Sequence, residues 1–182
     1  MNTVIETERL ILRALQPTDV TGFFEMDSNR EVHKYLGNSP IKTMEQALEN
    51  INNIIQQYKD NGIGRWAVIE KSSGHFIGWS GLKLITTEVN NHVNFYDVGY
   101  RLHPNFWGKG YATESAKAAI AYGFTQMNLT EIIGIADTNN VQSRKALEKC
   151  GLRFIENFEF PLWNTSCDWL RISKEEWLAL NK

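Results

Sequence analysis

Residues Trp107-Gly108-Lys109-Gly110-Tyr111-Ala112 close an alternating stretch, NFYDVGYRLHP, and open an amphipathic one, so their junction is the first place to look for chemistry. Glycines two apart let the backbone bend sharply and bring several N–H groups toward one point. A helix starting at once behind them adds its unpaired N-terminal donors and positive dipole end. The guest that suits this cradle is a phosphate or pyrophosphate. Alone, a G-x-G turn before a helix serves nucleotides, cofactors and tight packing alike. A second signature follows in NVQSRKALEKCGL, which sets Asn140, Ser143, Gly151 and Leu152 at fixed spacings. A dinucleotide-binding oxidoreductase is excluded by context, since no G-x-G-x-x-G turn opens a βαβ unit.

Several elements must hold these residues. Ala112, Ala116, Ala119, Ile120, Gly123, Phe124 and Met127 share one stripe of a helix behind the glycines. Residues 8–14, ERLILRA, read as a first strand, and Pro17 and Asp19 start a helix carrying Phe23, Phe24 and Met26. Ala47, Leu48, Ile51, Ile54, Ile55 and Tyr58 recur at helical spacing until Gly62 stops them. RWAVIEK and HFIGWSGLKL, joined by SSG, read as a hairpin, and TTEVNNHV as a polar loop before the central strand. EIIGIAD reads as a strand, Val141 to Lys149 as a helix, and RFIENFEF and CDWLRIS as carrying further strands. The expectation is an α/β class with a mixed sheet. No repeat, linker or low-complexity segment divides the chain, so residues 1–182 form a single domain.

Composition narrows the partners. With 182 residues, 42% hydrophobic and 12% aromatic, there is ample material for one core. A formal charge of −2 leaves no electrostatic footprint for nucleic acid or an anionic membrane. MNTVIETERL carries two carboxylates and no long apolar run, so it reads as neither a signal peptide nor a spanning helix, and the expected address is cytoplasmic. Cys150 and Cys167 are far from any C-x-x-C spacing and have no His or Cys cluster beside them, so no metal and no disulfide framework is expected. Cys150, just before Gly151, reads as a small buried hydrophobe.

On these residues the chain resembles the GNAT superfamily of acyl-coenzyme A N-acetyltransferases, and within it the Rim-type branch that acetylates ribosomal-protein N-termini. The superfamily motif Q/R-x-x-G-x-G/A is matched by residues 107–112 apart from Trp107 in its first place, a form common in that branch. The Asn-x-x-Ser pair, the closing Gly151, the opening TERLILR and the final DWLRISKEEW also fit, so the resemblance spans nearly the whole chain. It implies a mixed, mostly antiparallel sheet flanked by helices, with two splayed central strands between which pantetheine pairs like an added strand. It implies acetyl-CoA as co-substrate and direct transfer of the acetyl group to a primary amine, either a protein N-terminus or a small molecule. It also allows a homodimer. The alternative is a non-catalytic module that binds or senses acyl-CoA.

The resemblance also distributes roles. The amides from Gly108 to Thr113 would take the pyrophosphate, flanked by Lys109 and Lys145, with Trp107, Tyr111 and Ala112 in the same loop. Whether Tyr111 stacks on the cofactor or packs inward stays open. A backbone N–H between Tyr100 and Leu102 would meet the acetyl oxygen, where negative charge builds in the tetrahedral intermediate. Asn140 would reach the pantetheine amides, and its other reading is a helix N-cap. The tyrosine acid of many members falls here on Leu147, so Ser143 becomes the candidate partner of the thioester sulfur; its other reading is a first-turn cap. Asp97 stands where some members carry a glutamate base, and it can order a water to take the amine's proton if burial raises its pKa. Its other reading is an ion-pair partner for Arg101 on the same face of the strand. Glu159 and His33 are weaker candidates, and His103 reads as a loop residue. Trp79, Trp163 and Trp169 lie on segments that wall the acceptor cleft in related folds, although tryptophan is more often core.

Overall fold

Alternation of apolar and polar residues builds the strands. The computed structural model describes residues 4–182, so residues 1–3 of the N-terminal stretch read above lie outside it. One sheet contains β1 (Val4–Glu6), β2 (Leu10–Ala14), β3 (Arg65–Glu70), β4 (Phe76–Ile85), β5 (Phe95–Leu102), β6 (Glu131–Asp137), β7 (Arg153–Phe160) and β8 (Thr165–Ser173). Their spatial order is β1-β2-β3-β4-β5-β6-β8-β7. Every neighbouring pair is antiparallel except β5 and β6, which run parallel. The sheet is therefore mixed and mostly antiparallel, as expected.

Helices cover both faces. On one, α4 (Tyr111–Thr125) lays Ala116, Ala119, Ile120 and Phe124 against Trp66, Leu82 and Val98 of the sheet. All are essentially buried, and each large apolar side chain removed from water contributes about 1.5–3 kcal/mol. The alanines let the helix approach closely. Met127, placed on the same stripe from sequence, lies beyond the helix end. On the opposite face, α1 (Val20–Asp27) and α3 (Met44–Asn61) pack Phe23, Ala47 and Ile51 over Ala67. There α3 starts at a Thr43–Gln46 capping box and stops at Gly62. A third cluster joins Phe95, Ile133, Phe158, Cys167 and Trp169 beyond the reach of those helices.

Some elements differ from the sequence reading. The first strand begins at Leu10 and is preceded by the short β1, held by pairs from Val4↔Arg13 to Glu6↔Ile11. Pro17–Asp19 is a 3-10 turn, with α1 starting at Val20. Neither α2 (Arg30–His33) nor α6 (Lys174–Leu180) was anticipated, although Ser173 and Glu176 form a capping box that signals α6 in the sequence itself. Among the described residues no helix is long and apolar enough to cross a membrane.

Candidate active site

Parallel pairing between β5 and β6 is confined to Asp97↔Ile133, after which the strands part. Each stays zipped to its outer neighbour, β5 to β4 as far as Leu102 and β6 to β8 as far as Asp137. The result is a fork opening toward the C-terminal ends of both strands. Backbone groups alternate sides along a strand, and the His103 amide donates to Ile77 O on the β4 side at 2.9 Å. The Tyr100 and Leu102 amides therefore face the fork. The Leu102 carbonyl is already taken by the Trp107 indole N–H at 2.7 Å, so Trp107 braces the fork's mouth.

The glycine turn sits at that mouth. Gly108 and Gly110 have φ of +72° and +83°, a conformation that costs other residues a steric penalty. Gly110 is the N-cap of α4 and supplies no capping side chain, and the first helical bond runs from the Glu114 amide to Gly110 O at 3.0 Å. Among the described residues, no protein group accepts from the amides of Gly108 to Thr113. Backbone donors left free in this way at a helix N-terminus can receive an anion.

What holds the cradle was not foreseen. Glu114, in the first turn of α4, accepts from Thr7 Oγ1 at 2.6 Å, from the Arg9 amide at 2.9 Å and from Arg9 Nε at 2.7 Å. Arg9 NH1 also donates to Lys109 O at 2.9 Å, tying the loop to the β1–β2 turn. Burial pushes the Glu114 carboxyl upward, but the bonds from Thr7 and Arg9 outweigh it and hold the group below the usual glutamate range. Tyr111 packs inward: its buried ring lies under the Arg9 guanidinium and its hydroxyl donates to Glu70 at 2.6 Å, leaving only its amide for the cradle. The Lys109 ammonium lies over the Phe106 ring. Beside Gly110 and Thr113 a shallow depression of about 400 Å³ is lined by Lys117 and Lys149 together with Glu8 and Glu114. Lys117 and Lys149, which were not singled out in the sequence, thus lie beside the turn, and Lys145 is exposed on α5 (Val141–Lys149).

At the vertex of the fork stands Asp97. Its carboxylate pairs with Arg65 of β3, which also donates to the Asp97 carbonyl at 2.7 Å. Gly99 permits the approach, because a Cβ there would sit 2.7 Å from the Arg65 guanidinium. Burial raises the Asp97 carboxyl above the ordinary aspartate range despite the pulls of Arg65, Lys83 and the Ile135 amide. The ion-pair reading of Asp97 thus holds in kind with a different partner. Arg101 instead reaches Asp27 of α1 at 2.6 Å and lies over the Trp79 ring.

Ser143 and Tyr100 meet on the α4 side. The Tyr100 hydroxyl donates to Ser143 O at 2.9 Å and lies 3.2 Å from Ser143 Oγ, and burial pushes the phenol up. Among the described residues the Ser143 hydroxyl caps no backbone donor. That task belongs to Asn140, whose side chain accepts from the Ser143 amide at 3.1 Å at the start of α5 (Val141–Lys149). Leu147 is buried against Gly134 of β6.

The weaker candidates also find their places. His103 accepts from the Asn105 amide as a turn cap, Glu159 is exposed on β7, and His33 is buried with Nε2 3.6 Å from Asp27. Cys150 and Cys167 are buried thiols pushed up to about 12. Trp169 is core in the third cluster, Trp79 lies between Arg65 and Arg101, and Trp163 abuts Gly37 in the loop after α2. That loop and the β7–β8 turn thus meet over the sheet face opposite α4.

Comparison with known proteins gives a consistent picture. Residues 9–153 match the acetyltransferase (GNAT) domain family. The uncharacterized N-acetyltransferase p20 of Bacillus licheniformis is 34% identical over 141 residues, covering 78% of this chain and 77% of that protein. The spermidine N(1)-acetyltransferase of Vibrio cholerae is 28% identical over 148 residues, covering 81% of this chain and 80% of its own. The crystal structure of a GNAT-family acetyltransferase from Bacillus anthracis superposes with a TM-score of 0.79 at 27% identity, covering 95% of this chain and 99% of that one.

Proposed function

The chain belongs to the GNAT acetyltransferase domain family, and from that premise we propose that it transfers the acetyl group of acetyl-CoA to a primary amine by direct attack in a ternary complex. The observation that carries this reading is the fork: β5 and β6 pair only at Asp97↔Ile133 and then leave main-chain donors facing a gap beside a run of unpaired amides. Pyrophosphate on the amides of Gly108 to Thr113 puts pantetheine along the gap, where the Tyr100 amide meets the thioester carbonyl. Acceptors to be tested include small amines and, from the Rim-type resemblance of Trp107 and Ser143, peptide N-termini.

Asp97, with its carboxyl raised above the ordinary aspartate range by burial, takes the proton of the incoming ammonium directly or through one water. The free amine attacks the carbonyl carbon, an N–C bond forms, the C–S bond breaks, and the sulfur leaves as thiol. Ser143 Oγ donates that last proton and regains one through the adjacent Tyr100 hydroxyl, which takes up the second N–H proton that the nitrogen sheds as the tetrahedral intermediate collapses, so both hydroxyls end neutral. A thiol of reference pKa about 8.5 is a tolerable leaving group, so the relay assists more than it enables. A module that only bound acyl-CoA would need the cradle alone. The Asp97 vertex and the Tyr100–Ser143 pair favour the enzyme. Thiol release from acetyl-CoA, followed with a panel of amines and peptides, tests this. No release with any acceptor refutes it.

A further inference from the structure

The face of the sheet opposite α4 carries the polar groups that an acceptor approaching the fork would meet. They are Arg65, Lys83, Asp97 and Arg101 from three adjacent strands, Asp27 and His33 from α1 and α2, and Asp137 at the end of β6. The carboxylates are already occupied. Asp97 holds Arg65, Asp27 holds Arg101 with His33 close by, and Asp137 accepts from Thr165 Oγ1 at 2.8 Å and from the Asn139 amide at 2.8 Å. The donors are in surplus. Arg101 Nε is buried with no hydrogen-bond partner among the described residues, His33 Nε2 lies 3.6 Å from Asp27, and Lys83 makes no hydrogen bond or ion pair among them.

Lys83 is also well placed. In the β4–β5 register it stands directly opposite Asp97, so both side chains rise from the same face at the vertex of the fork. Cross-strand neighbours in this arrangement are about 5 Å apart at Cβ, so the Lys83 and Asp97 side chains border one space into which a small bifunctional molecule can enter. Burial and the nearby Arg65 discourage the Lys83 ammonium, a cost that an incoming anion relieves.

We propose that the acceptor is a small amine bearing a carboxylate close to its amino group, of the α- or β-amino acid class, with Lys83 receiving the carboxylate while Asp97 faces the amine. This rests on the acetyl-transfer reading above and selects among its acceptors. A polyamine is disfavoured, because the carboxylates nearest the fork, Asp27, Asp97 and Asp137, already have partners. The protein then differs in acceptor from the spermidine acetyltransferase it is similar to.

The test is thiol release with matched pairs: α- and β-amino acids, the corresponding amides, and spermidine, each with the wild type and with Lys83→Met and Lys83→Arg. The amino acid of at least one pair is expected to exceed its amide in kcat/KM by about tenfold or more, the scale of one charge-assisted hydrogen bond. In Lys83→Met that ratio falls toward one through KM, and in Lys83→Arg it is largely retained. Calorimetric binding of acetyl-CoA to each variant confirms a folded cradle. Amides or spermidine that match or exceed every amino acid overturn the proposal while acetyl transfer stands, as does a ratio indifferent to Lys83→Met. Absence of release with every acceptor overturns both.

Discussion

Replacing Glu114 with alanine removes the group on which the cradle's support converges. Thr7 Oγ1 and the Arg9 amide are part-buried donors at 2.6 and 2.9 Å that lose a charged acceptor, and the Arg9 guanidinium loses its partner at 2.6 Å. Hydrogen bonds to a charged group contribute about 1.5–3 kcal/mol each, less where water can substitute. The guanidinium is 41% exposed, so its share is discounted to below about 1 kcal/mol. Together the loss comes to about 3 kcal/mol, which urea unfolding reads directly. The Arg9 link to Lys109 O slackens as well, so the glycine turn must be ordered at the moment of binding, and acetyl-CoA affinity should fall about tenfold by calorimetry. The folded carboxyl lies below the ordinary glutamate range, so its contribution is present above that range and is lost as pH falls through the lowered value. The stability gap between wild type and variant should therefore narrow toward acid. A variant that loses stability yet binds acetyl-CoA as tightly as the wild type refutes the idea that this clamp organises the cradle.

Asp97→Asn should lower kcat/KM by about a hundredfold or more and abolish the acid limb of its pH profile, because the proton acceptor is gone. The folded Asp97 carboxyl is raised, so wild-type stability should drop as pH climbs from the ordinary aspartate value through the raised one. Urea titrations should show that slope missing in the asparagine variant. Tyr100→Phe should cost about 1 kcal/mol of stability and lower kcat with little change in the KM for acetyl-CoA; an unchanged kcat removes Tyr100 from the proton relay. Cys150 and Cys167, both pushed up to about 12, should resist an aromatic disulfide reagent at neutral pH until denaturant exposes them, and rapid labelling of the native protein would contradict their burial.

The parts of the site that were legible in the sequence are those written in consecutive residues. The Gly108-x-Gly110 turn needs left-handed backbone angles and a helix behind it, and both requirements are local. The Asn140–Ser143 cap is likewise a bond within one helical turn. The partners of charged groups were not legible in this way. Asp97 was matched to Arg101 because they share a strand face, yet Arg65 arrives from β3, two strands away, through space left open by Gly99. Arg9 and Glu114 show the same limit, since no spacing rule links a turn near the start of the chain to the first turn of α4. The missed α6 is a different case: its Ser173–Glu176 box was present in the sequence and simply went unread.

From its residues alone this chain determined its strands, its larger helices and the glycine turn before α4, because propensity, capping and backbone sterics act over a few neighbouring positions. Only the tertiary structure decided where β5 leaves β6, which guanidinium meets which carboxylate, and that Tyr100 backs Ser143. Those outcomes depend on the packing of helices against the two sheet faces and on desolvation within them, which no short stretch of sequence encodes.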